Sequence, residues 1–295
     1  MYGKLIYAVA KLTRYWVRGH PNTDFCFIRD HFRKLCPEVE MIINTNEGFK
    51  MLVSPHDYAS YQIFFLGCYD RWLTNFLKAH ISEGSVCWDI GTERGWFTLL
   101  MANLVGPSGR VDAFEAFPPN FNKLQNNVTQ NNFHWVKANN LAISDKKGTM
   151  YFVPPSNDIT HNINYLQDCS GVGYLTDKPT ASCIKVSTIS IDQYAELYPL
   201  ERLDLIKIDI EGAEYAALVG AEKVVRRFRP KIVIEYNRES ARRAGSSIEK
   251  LDDLLNIYGY DRYTFYTQLK KLDLDYWANL SDSVSVFNVY CFPKT

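Results

Sequence analysis

The chain has 295 residues, of which 46% are apolar and 22% are charged. This length and composition fit one large folded domain, or one domain with an N-terminal extension, and they exclude a largely disordered chain. The formal net charge is zero, with 33 Lys and Arg against 33 Asp and Glu. A dedicated nucleic-acid binder usually carries a basic excess, so no nucleic-acid partner is expected.

The cysteines are also informative about the class of protein. There are seven of them, scattered and without a C-x-x-C pair, which disfavours a zinc site and a disulfide framework. A reducing compartment, the cytoplasm, is therefore expected. No run of 18 apolar residues occurs, so we expect no transmembrane segment.

Residues 1–36 are predicted to be helical. Within them Leu5, Val9, Leu12 and Trp16 recur at helical spacing among basic residues. This pattern is typical of an interfacial membrane helix, or of a helix packed on its own domain or on the second subunit of a homodimer. The packed helix is the commoner arrangement and is the one we expect.

Two further elements precede the part of the chain in which strands and helices alternate. Residues 39–53 are predicted to form a hairpin that turns near Asn46, Glu47 and Gly48. Residues 58–80 are predicted to form one helix, since their apolar residues share a face. We expect residues 1–80 to be an extension that contributes to an acceptor site or a dimer contact.

From Ser85 onward, apolar strands alternate with helical segments. The predicted strands are 86–91, 110–116, 135–143, 203–212, 231–236, 262–267 and 284–292, and the predicted helices are 96–106, 119–132, 213–228 and 248–259. Nearly continuous apolar strands separated by helices indicate a parallel sheet that is covered on both faces. The last two strands have no helix between them and are predicted to form an antiparallel hairpin. The expected α/β fold is thus a Rossmann-like, doubly wound, seven-stranded sheet. This layout resembles that of the class I methyltransferases.

The segment 154–185 has no clear period and contains several turn-forming residues. A long irregular insertion in an α/β domain is often a substrate lid. We therefore expect residues 81–295 to form the catalytic domain, with 154–185 as its lid or acceptor loop.

The first predicted strand runs into the pattern Asp89-x-Gly91-x-x-x-Gly95. Glycines at a strand-to-helix turn let a ligand approach the backbone closely. A dinucleotide-binding oxidoreductase would need a third glycine where Glu93 stands, and an acidic side chain is unfavourable beside a pyrophosphate. A cationic sulfonium raises no such objection. The second strand ends at Glu115, 24 residues after Gly91, where a carboxylate can accept hydrogen bonds from ribose hydroxyls.

With these residues the chain resembles the FkbM-type methyltransferases. The resemblance covers roughly residues 85–237, and its most specific part is the segment KIDIEGAE at 207–214. It implies S-adenosylmethionine as cofactor. Asp89, Gly91 and Gly95 would lie along the methionine part, Glu115 at the ribose, and Ala116 and Phe117 at the adenine. The full set of expected cofactor-binding residues is Asp89, Gly91, Thr92, Glu93, Gly95, Trp96, Phe97, Glu115, Ala116, Phe117, Asn140, Ala142 and Asp209.

Two departures from the family pattern stand out. The family usually has G-A-N-x-G at the first turn, whereas this chain has Gly91-Thr92-Glu93-Arg94-Gly95. Glu93 and Arg94 can pair with each other, contact the cofactor, or point to solvent. The second strand normally ends in Glu-Pro, but here Ala116 follows Glu115.

Methyl transfer to a hydroxyl requires that the hydroxyl lose a proton. Asp209 follows the fourth strand, and Glu235 and Asn237 lie at the end of the fifth. We expect Asp209, Glu235 and a lid histidine, His161, to act in catalysis. Asp209, Glu235 and Asn237 also have the oxygen ligands that Mg²⁺ or Mn²⁺ prefers, although a metal is not the favoured interpretation.

Lys207 shares a face of the fourth strand with Asp209 and Glu211. A structural ion pair is its expected role. Glu211 and Glu214 follow the strand, and a part in shaping the next helix N-terminus is open to them.

The function expected from the sequence is S-adenosylmethionine-dependent O-methylation of a sugar or natural-product scaffold. The acceptor is then a small molecule or a glycan. N-methylation of a peptide side-chain amide and a non-catalytic cofactor-binding scaffold are the alternatives.

Overall fold

The structure is a computed structural model that describes residues 40–54, 58–154, 173–179, 182–265, 269–272 and 286–294. The predicted N-terminal helix and the larger part of the predicted lid, including His161, lie outside the described residues. Within them, no helix is long and apolar enough to cross a membrane. The strands are β1 Met41–Asn44, β2 Lys50–Val53, β3 Val86–Ile90, β4 Arg110–Phe114, β5 Val136–Asn139, β6 Ala142–Ile143, β7 Gly148–Val153, β8 Tyr174–Thr176, β9 Ile184–Ile189, β10 Leu205–Ile208, β11 Lys231–Asn237, β12 Tyr260–Phe265, β13 Leu269–Lys271 and β14 Val286–Pro293. The helices are α1 Tyr58–Leu66, α2 Arg71–His80, α3 Trp96–Val105, α4 Pro118–Gln130, α5 Ile191–Leu197, α6 Glu214–Val219, α7 Glu222–Phe228, α8 Arg238–Arg243 and α9 Ile248–Ile257.

The central sheet has the strand order β13-β12-β14-β11-β10-β3-β4-β5. Strands β3, β4, β5, β10 and β11 are parallel, whereas β14 runs antiparallel to both β11 and β12. The strand order reverses between β3 and β10, and ligands of open α/β sheets bind at such a switch point, beyond the carboxyl ends of the strands. This confirms the class I methyltransferase architecture and its terminal antiparallel hairpin.

The sheet contains one strand more than the predicted seven among the described residues. The additional strand, β13, pairs with β12 at the edge of the sheet. Its three residues are all exposed, so they have no apolar alternation from which a strand could be predicted.

A second sheet, with the order β6-β9-β7-β8, was not predicted. The predicted third strand, 135–143, is in fact divided between β5 of the central sheet and β6 of this small sheet. The division falls at Asn140, whose side-chain amide donates to the carbonyl oxygens of Glu115 at 2.8 Å and Ala116 at 3.2 Å. The chain therefore leaves the central sheet at this residue.

The predicted hairpin at 39–53 is confirmed, because β1 and β2 pair antiparallel. The predicted helix 58–80 is two helices, since Gly67 has φ +72° and Asp70 has φ +31°. The Asp70 carboxylate caps α2 by accepting from the N–H of Leu73 at 3.0 Å. The predicted helix 213–228 is likewise two, α6 and α7, which are separated at Gly220.

The described part of the extension shares a hydrophobic core with the central sheet. Phe49, Met51 and Phe64 belong to the same buried cluster as Leu99 of α3 and Val233 of β11. Polar contacts strengthen this packing, since Asn127 of α4 accepts from the N–H of Leu52 at 2.8 Å and donates to the carbonyl of Arg94 at 2.9 Å. The hairpin, α1 and α2 are thereby fixed beside the first βα turn.

Candidate functional site

The turn between β3 and α3 requires glycine at two positions. Gly91 has φ +81°, and a Cβ there would lie 1.7 Å from the carbonyl oxygen of Asp209. Gly95 has φ +93°, and its Cβ would lie 2.5 Å from the side chain of Leu124. At Gly91 any side chain would collide with backbone, so this glycine lets the turn lie against the end of β10. At Gly95 the positive φ favours glycine, and α3 starts at the next residue, Trp96.

Lys207 is the cation at this switch point. Its side chain is 3% exposed, and its Nζ lies 3.2 Å from Asp209 Oδ2 and 3.7 Å from Asp89 Oδ1. Burial alone would lower the pKa of Lys207, but Asp209 and Asp89 together raise it above its ordinary value. The predicted structural ion pair of Lys207 is thus present, and it involves both carboxylates.

Asp89 is completely buried and accepts from the Thr98 hydroxyl at 2.6 Å. Burial raises the pKa of Asp89, and Lys207 only partly offsets that effect. Thr98 lies on α3, so this hydrogen bond joins the end of β3 to the helix that follows. Asp89 therefore lies beneath the turn.

Glu115 connects the first turn to the end of β4. It is 6% exposed, and its two carboxylate oxygens accept from the backbone N–H groups of Glu93 and Phe117, each at 2.8 Å. Burial raises the pKa of Glu115 to about 7 in spite of these two hydrogen bonds. Each oxygen retains a second lone pair for a ligand hydroxyl.

Thr92, Glu93 and Arg94 have three different environments. Thr92 is buried, and its hydroxyl has no hydrogen-bond partner among the described residues. Glu93 is exposed, with its carboxylate 3.7 Å from Arg94 Nε, so the pairing of Glu93 with Arg94 is confirmed. Arg94 Nη1 donates to the buried hydroxyl of Ser60 in α1 at 2.8 Å.

These residues surround a small cleft of about 60 Å³. Its lining consists of Met51, Ser60, Ile63, Tyr69, Gly91, Thr92, Glu93, Arg94, Trp96, Phe97, Lys207 and Asp209. Phe97 lies between Tyr69, whose ring centroid is 5.9 Å away, and Lys207, whose Nζ is 5.1 Å from the Phe97 centroid. Trp96 is 4% exposed and donates to Thr74 of α2 at 3.2 Å, so most of its ring packs toward the extension.

Three carboxylates gather at the ends of β10 and β11. Oxygen atoms of Asp209, Glu211 and Glu235 lie within 4.8 Å of one another. Asn237, which the sequence suggested as a third ligand, instead caps α8 by accepting from the N–H of Ser240 at 3.1 Å. Oxygen donors of this kind suit a divalent cation, but the ammonium of Lys207 already lies against one of them.

Burial and neighbouring negative charges change the acidity of this group. Burial, followed by the charge of Asp209, raises the pKa of Glu211 to about 8, and the same two causes raise that of Glu235. Glu214, by contrast, shapes the turn, since its carboxylate accepts from the N–H groups of Ile210 and Gly212, both at 2.9 Å. The suggested part of Glu214 at the helix N-terminus is therefore correct.

The other residues expected to bind the cofactor lie outside the lining of the cleft. Ala116 and Phe117 directly follow Glu115, and the backbone N–H of Phe117 is fixed by it. Asn140 lies beside them through its two hydrogen bonds to residues 115 and 116. Ala142 is 3% exposed and pairs with Thr188 inside the small sheet, so the structure does not bring it to the cleft.

Sequence reasoning missed the contribution of the extension to the cleft. Ser60, Ile63 and Tyr69 line it, but nothing local in the sequence connects α1 to a turn 30 residues later. Glu211 was expected to share a strand face with Lys207 and Asp209, or to shape the helix N-terminus. It has a positive φ of 55°, and its approach to Glu235 could not be read from residue types.

We predict that Gly91→Ala is much more destabilising than Gly48→Ala. Both glycines have positive φ, but a Cβ at Gly48 has nothing within 4 Å, whereas at Gly91 it meets the Asp209 carbonyl. The Gly48 variant should lose only the conformational cost of about 1–2 kcal/mol. Thermal unfolding of both variants measures the difference, and equal losses would contradict the close approach of the turn to β10.

We also predict that thermal stability falls as the pH rises from about 5 to 8. The folded protein holds a proton on Glu211 up to a pKa of about 8, while the unfolded chain releases it near 4.3. The folded state therefore binds more protons across this range, and the free energy of unfolding decreases with pH. Glu211→Gln should make the decline shallower, and Glu201→Gln, at an exposed position, should not. A Glu211→Gln profile identical to wild type in a pH series of melting temperatures would refute the assignment.

Comparisons with known proteins bear on the same region. The sequence model of the Methyltransferase FkbM domain matches residues 89–262, more than half of the chain. Methyltransferase 1 of Beauveria bassiana is 28% identical over 171 residues, which are 55% of this chain and 65% of that protein. The chain thus covers slightly less than two thirds of that relative. Methyltransferase sdnD of Sordaria araneosa is 28% identical over 221 residues, which are 68% of this chain and 80% of that protein.

Among solved structures, the methyltransferase FkbM of Methylobacillus flagellatus is 15% identical, with a TM-score of 0.42, over 80% of this chain and 55% of that one. The chain belongs to the FkbM methyltransferase family and carries that family's domain.

Proposed function

We propose that the protein transfers a methyl group from S-adenosylmethionine to a hydroxyl of a sugar or natural-product scaffold. The observation that carries this proposal is the position of Asp209. Its carboxylate is one-third exposed, at the mouth of a cleft formed by the family's glycine turn, and is paired with a buried ammonium. A carboxylate in this position can orient an acceptor hydroxyl beside the methyl donor.

The residues of the cleft fit the cofactor. Gly91 and Gly95 have positive φ and keep the turn free of side chains at these two positions, and the buried Thr92 hydroxyl lacks a partner among the described residues. We assign the methionine part to this turn and to Trp96 and Phe97. We assign the ribose to Glu115, whose oxygens are fixed by two N–H groups.

The adenine is assigned to the residues after β4, namely Ala116 and Phe117, with Asn140 at their side. When bound, the cofactor supplies an electrophilic methyl group. Asp89 stays under the turn and acts by fixing Lys207 and Thr98 rather than by direct contact.

The chain's own residues manage the proton of the acceptor. The acceptor hydroxyl donates to Asp209, which Lys207 keeps in place. Glu235 and Glu211 lie within 4.8 Å of Asp209. Burial raises the pKa of both carboxyl groups, and the value of about 8 for Glu211 suits a group that exchanges a proton near neutral pH. His161 remains a candidate for the same role. Because Lys207 balances part of the negative charge, we propose that transfer proceeds without a metal ion.

The acceptor side is assigned to the extension, residues 1–80, and to the 154–185 insertion of the catalytic domain, residues 81–295. Ser60, Ile63 and Tyr69 of the extension line the cleft, which supports a small-molecule or glycan acceptor lying between the two. The scattered cysteines, which include no C-x-x-C pair, support a cytoplasmic location. A homodimer formed through the extension is part of the same proposal.

Glu115→Gln should weaken binding of S-adenosylhomocysteine about tenfold or more, since a charge-assisted hydrogen bond to a hydroxyl is removed. Because Glu115 also fixes two backbone groups, a second measurement is needed. Wild type should prefer adenosine to 2′,3′-dideoxyadenosine, and the variant should not. Calorimetric titration measures both, and a variant that retains the full preference would contradict the ribose assignment.

Asp209→Asn should lower turnover at least a hundredfold and leave the affinity for S-adenosylhomocysteine within about threefold, because the lost interaction acts on the reacting hydroxyl. The assay is the formation of S-adenosylhomocysteine with a panel of sugars and hydroxylated natural products. Glu239→Gln, an exposed position after β11, is the matched control. Turnover near the wild-type rate in the Asp209 variant would remove Asp209 from the mechanism.

A further inference from the structure

Two aromatic rings, one from the segment after β4 and one from the small sheet, meet beside Glu115. The rings of Phe117 and Phe152 have centroids 5.2 Å apart and planes inclined by 19°, which is a stacked arrangement. Phe117 follows β4 and donates its backbone N–H to Glu115, whereas Phe152 lies on β7 of the small sheet. Both residues are half-buried, so the pair presents an apolar surface next to a carboxylate.

The position of Phe152 is set by the small sheet. Phe152 pairs with Leu175 of β8 and with Ile184 of β9, so its backbone is held on both sides. Its ring also packs against the backbone of Gly173, where an added Cβ would lie 2.3 Å from the ring. A ring fixed in this way keeps its place and determines where the Phe117 ring can lie.

The strands β7 and β8 have a second face, opposite to the one that carries Phe152, and this face contacts residues that follow β11. Tyr174 pairs with Val153, one residue beyond Phe152, so the side chains of Tyr174 and Phe152 point to opposite faces. The Arg243 guanidinium lies 4.2 Å from the Tyr174 ring centroid and donates to the carbonyl of Glu211 at 3.3 Å. The strand pair β7–β8 therefore contacts residues that follow β4 on one face and residues that follow β11 on the other.

We infer that Phe152 is a positioning residue of the adenine subsite. It stacks on Phe117 and holds that ring against the purine, so that the small sheet completes the nucleoside site. A flat apolar wall beside a carboxylate whose two oxygens each retain a lone pair for a hydroxyl matches a purine nucleoside, which combines a planar base with a vicinal diol. The inference rests on the proposed function, because it takes Glu115 as the ribose ligand.

The test is calorimetric titration of the full-length protein with S-adenosylhomocysteine and with 5′-methylthioadenosine, which keeps the adenosine part and lacks the amino acid. Phe152→Leu retains bulk but loses the ring, and it should weaken both ligands by about three- to tenfold, the range that an aromatic pair contributes. Phe152→Tyr retains the ring and should restore both affinities to within about twofold of wild type. Since both ligands carry the adenosine part, the ratio of their affinities should stay constant.

Tyr174→Leu is the matched control. It removes a ring from the neighbouring strand of the same sheet, but that ring faces Arg243, so the affinity for S-adenosylhomocysteine should not change. An equal loss in this variant would overturn the inference, because the effect would then be a general weakening of the small sheet.

Unchanged affinity in Phe152→Leu would also overturn the inference, and tighter binding would show instead that the Phe152 ring occupies the place of the purine. If the wild-type protein does not bind S-adenosylhomocysteine at all, the proposed function fails together with the inference. If the wild-type protein binds S-adenosylhomocysteine and the Phe152 variants bind it with the same affinity, the proposed function stands and the inference alone is wrong.

Discussion

The buried ammonium of Lys207 is the interaction on which the rest of the site depends. It lies between Asp89 at the end of β3 and Asp209 after β10, the two adjacent strands at which the sheet reverses its order. It also lies 3.5 Å from the carbonyl oxygen of Gly91. Without the ammonium these two carboxylates would repel each other. The Lys207–Asp89 pair is buried, and removing one partner of a buried ion pair generally costs about 3–5 kcal/mol. Lys207 thus permits acidic residues at both strand ends.

The same arrangement gives the three carboxylates at the ends of β10 and β11 different electrostatic surroundings. Asp209 has the ammonium as its direct partner, whereas Glu211 and Glu235 are beyond it and experience burial and repulsion. One carboxylate is therefore suited to orient a polar acceptor, and the other two to hold a proton. In a methyltransferase this division matters, because the cofactor brings the reactivity and the protein provides alignment and proton handling.

The sequence predicted the elements whose signal is local. Strands β3, β4, β10 and β11 are buried on both faces and have continuous apolar runs, so the parallel sheet was evident from the pattern. The break between α1 and α2 was not, because the apolar period continues through Gly67 and Asp70 although Asp70 starts a new helix by capping it. The small sheet was missed because its pairing joins segments about 40 residues apart in the chain. Pairing of this kind is not expressed in the period of any one segment.

The residues of the candidate site likewise fall into those that the sequence predicted and those that it did not. The residues of the glycine turn, Glu115 and Asp209 follow their strands directly and could be named from spacing. Residues that approach from elsewhere could not, and among these are Ser60, Tyr69 and Phe152.

Arg94 shows why contacts from other parts of the chain matter. It directly follows the two residues, Thr92 and Glu93, at which the chain departs from the family's usual turn, and its side chain, 15% exposed, reaches Ser60 of the extension. The turn and the extension are therefore in direct contact. Because that contact lies beside Phe97 and Tyr69 at the cleft, a change in the extension alters the wall of the cofactor turn directly. Under the proposed assignment of the acceptor to the extension, this packing links acceptor choice to cofactor binding.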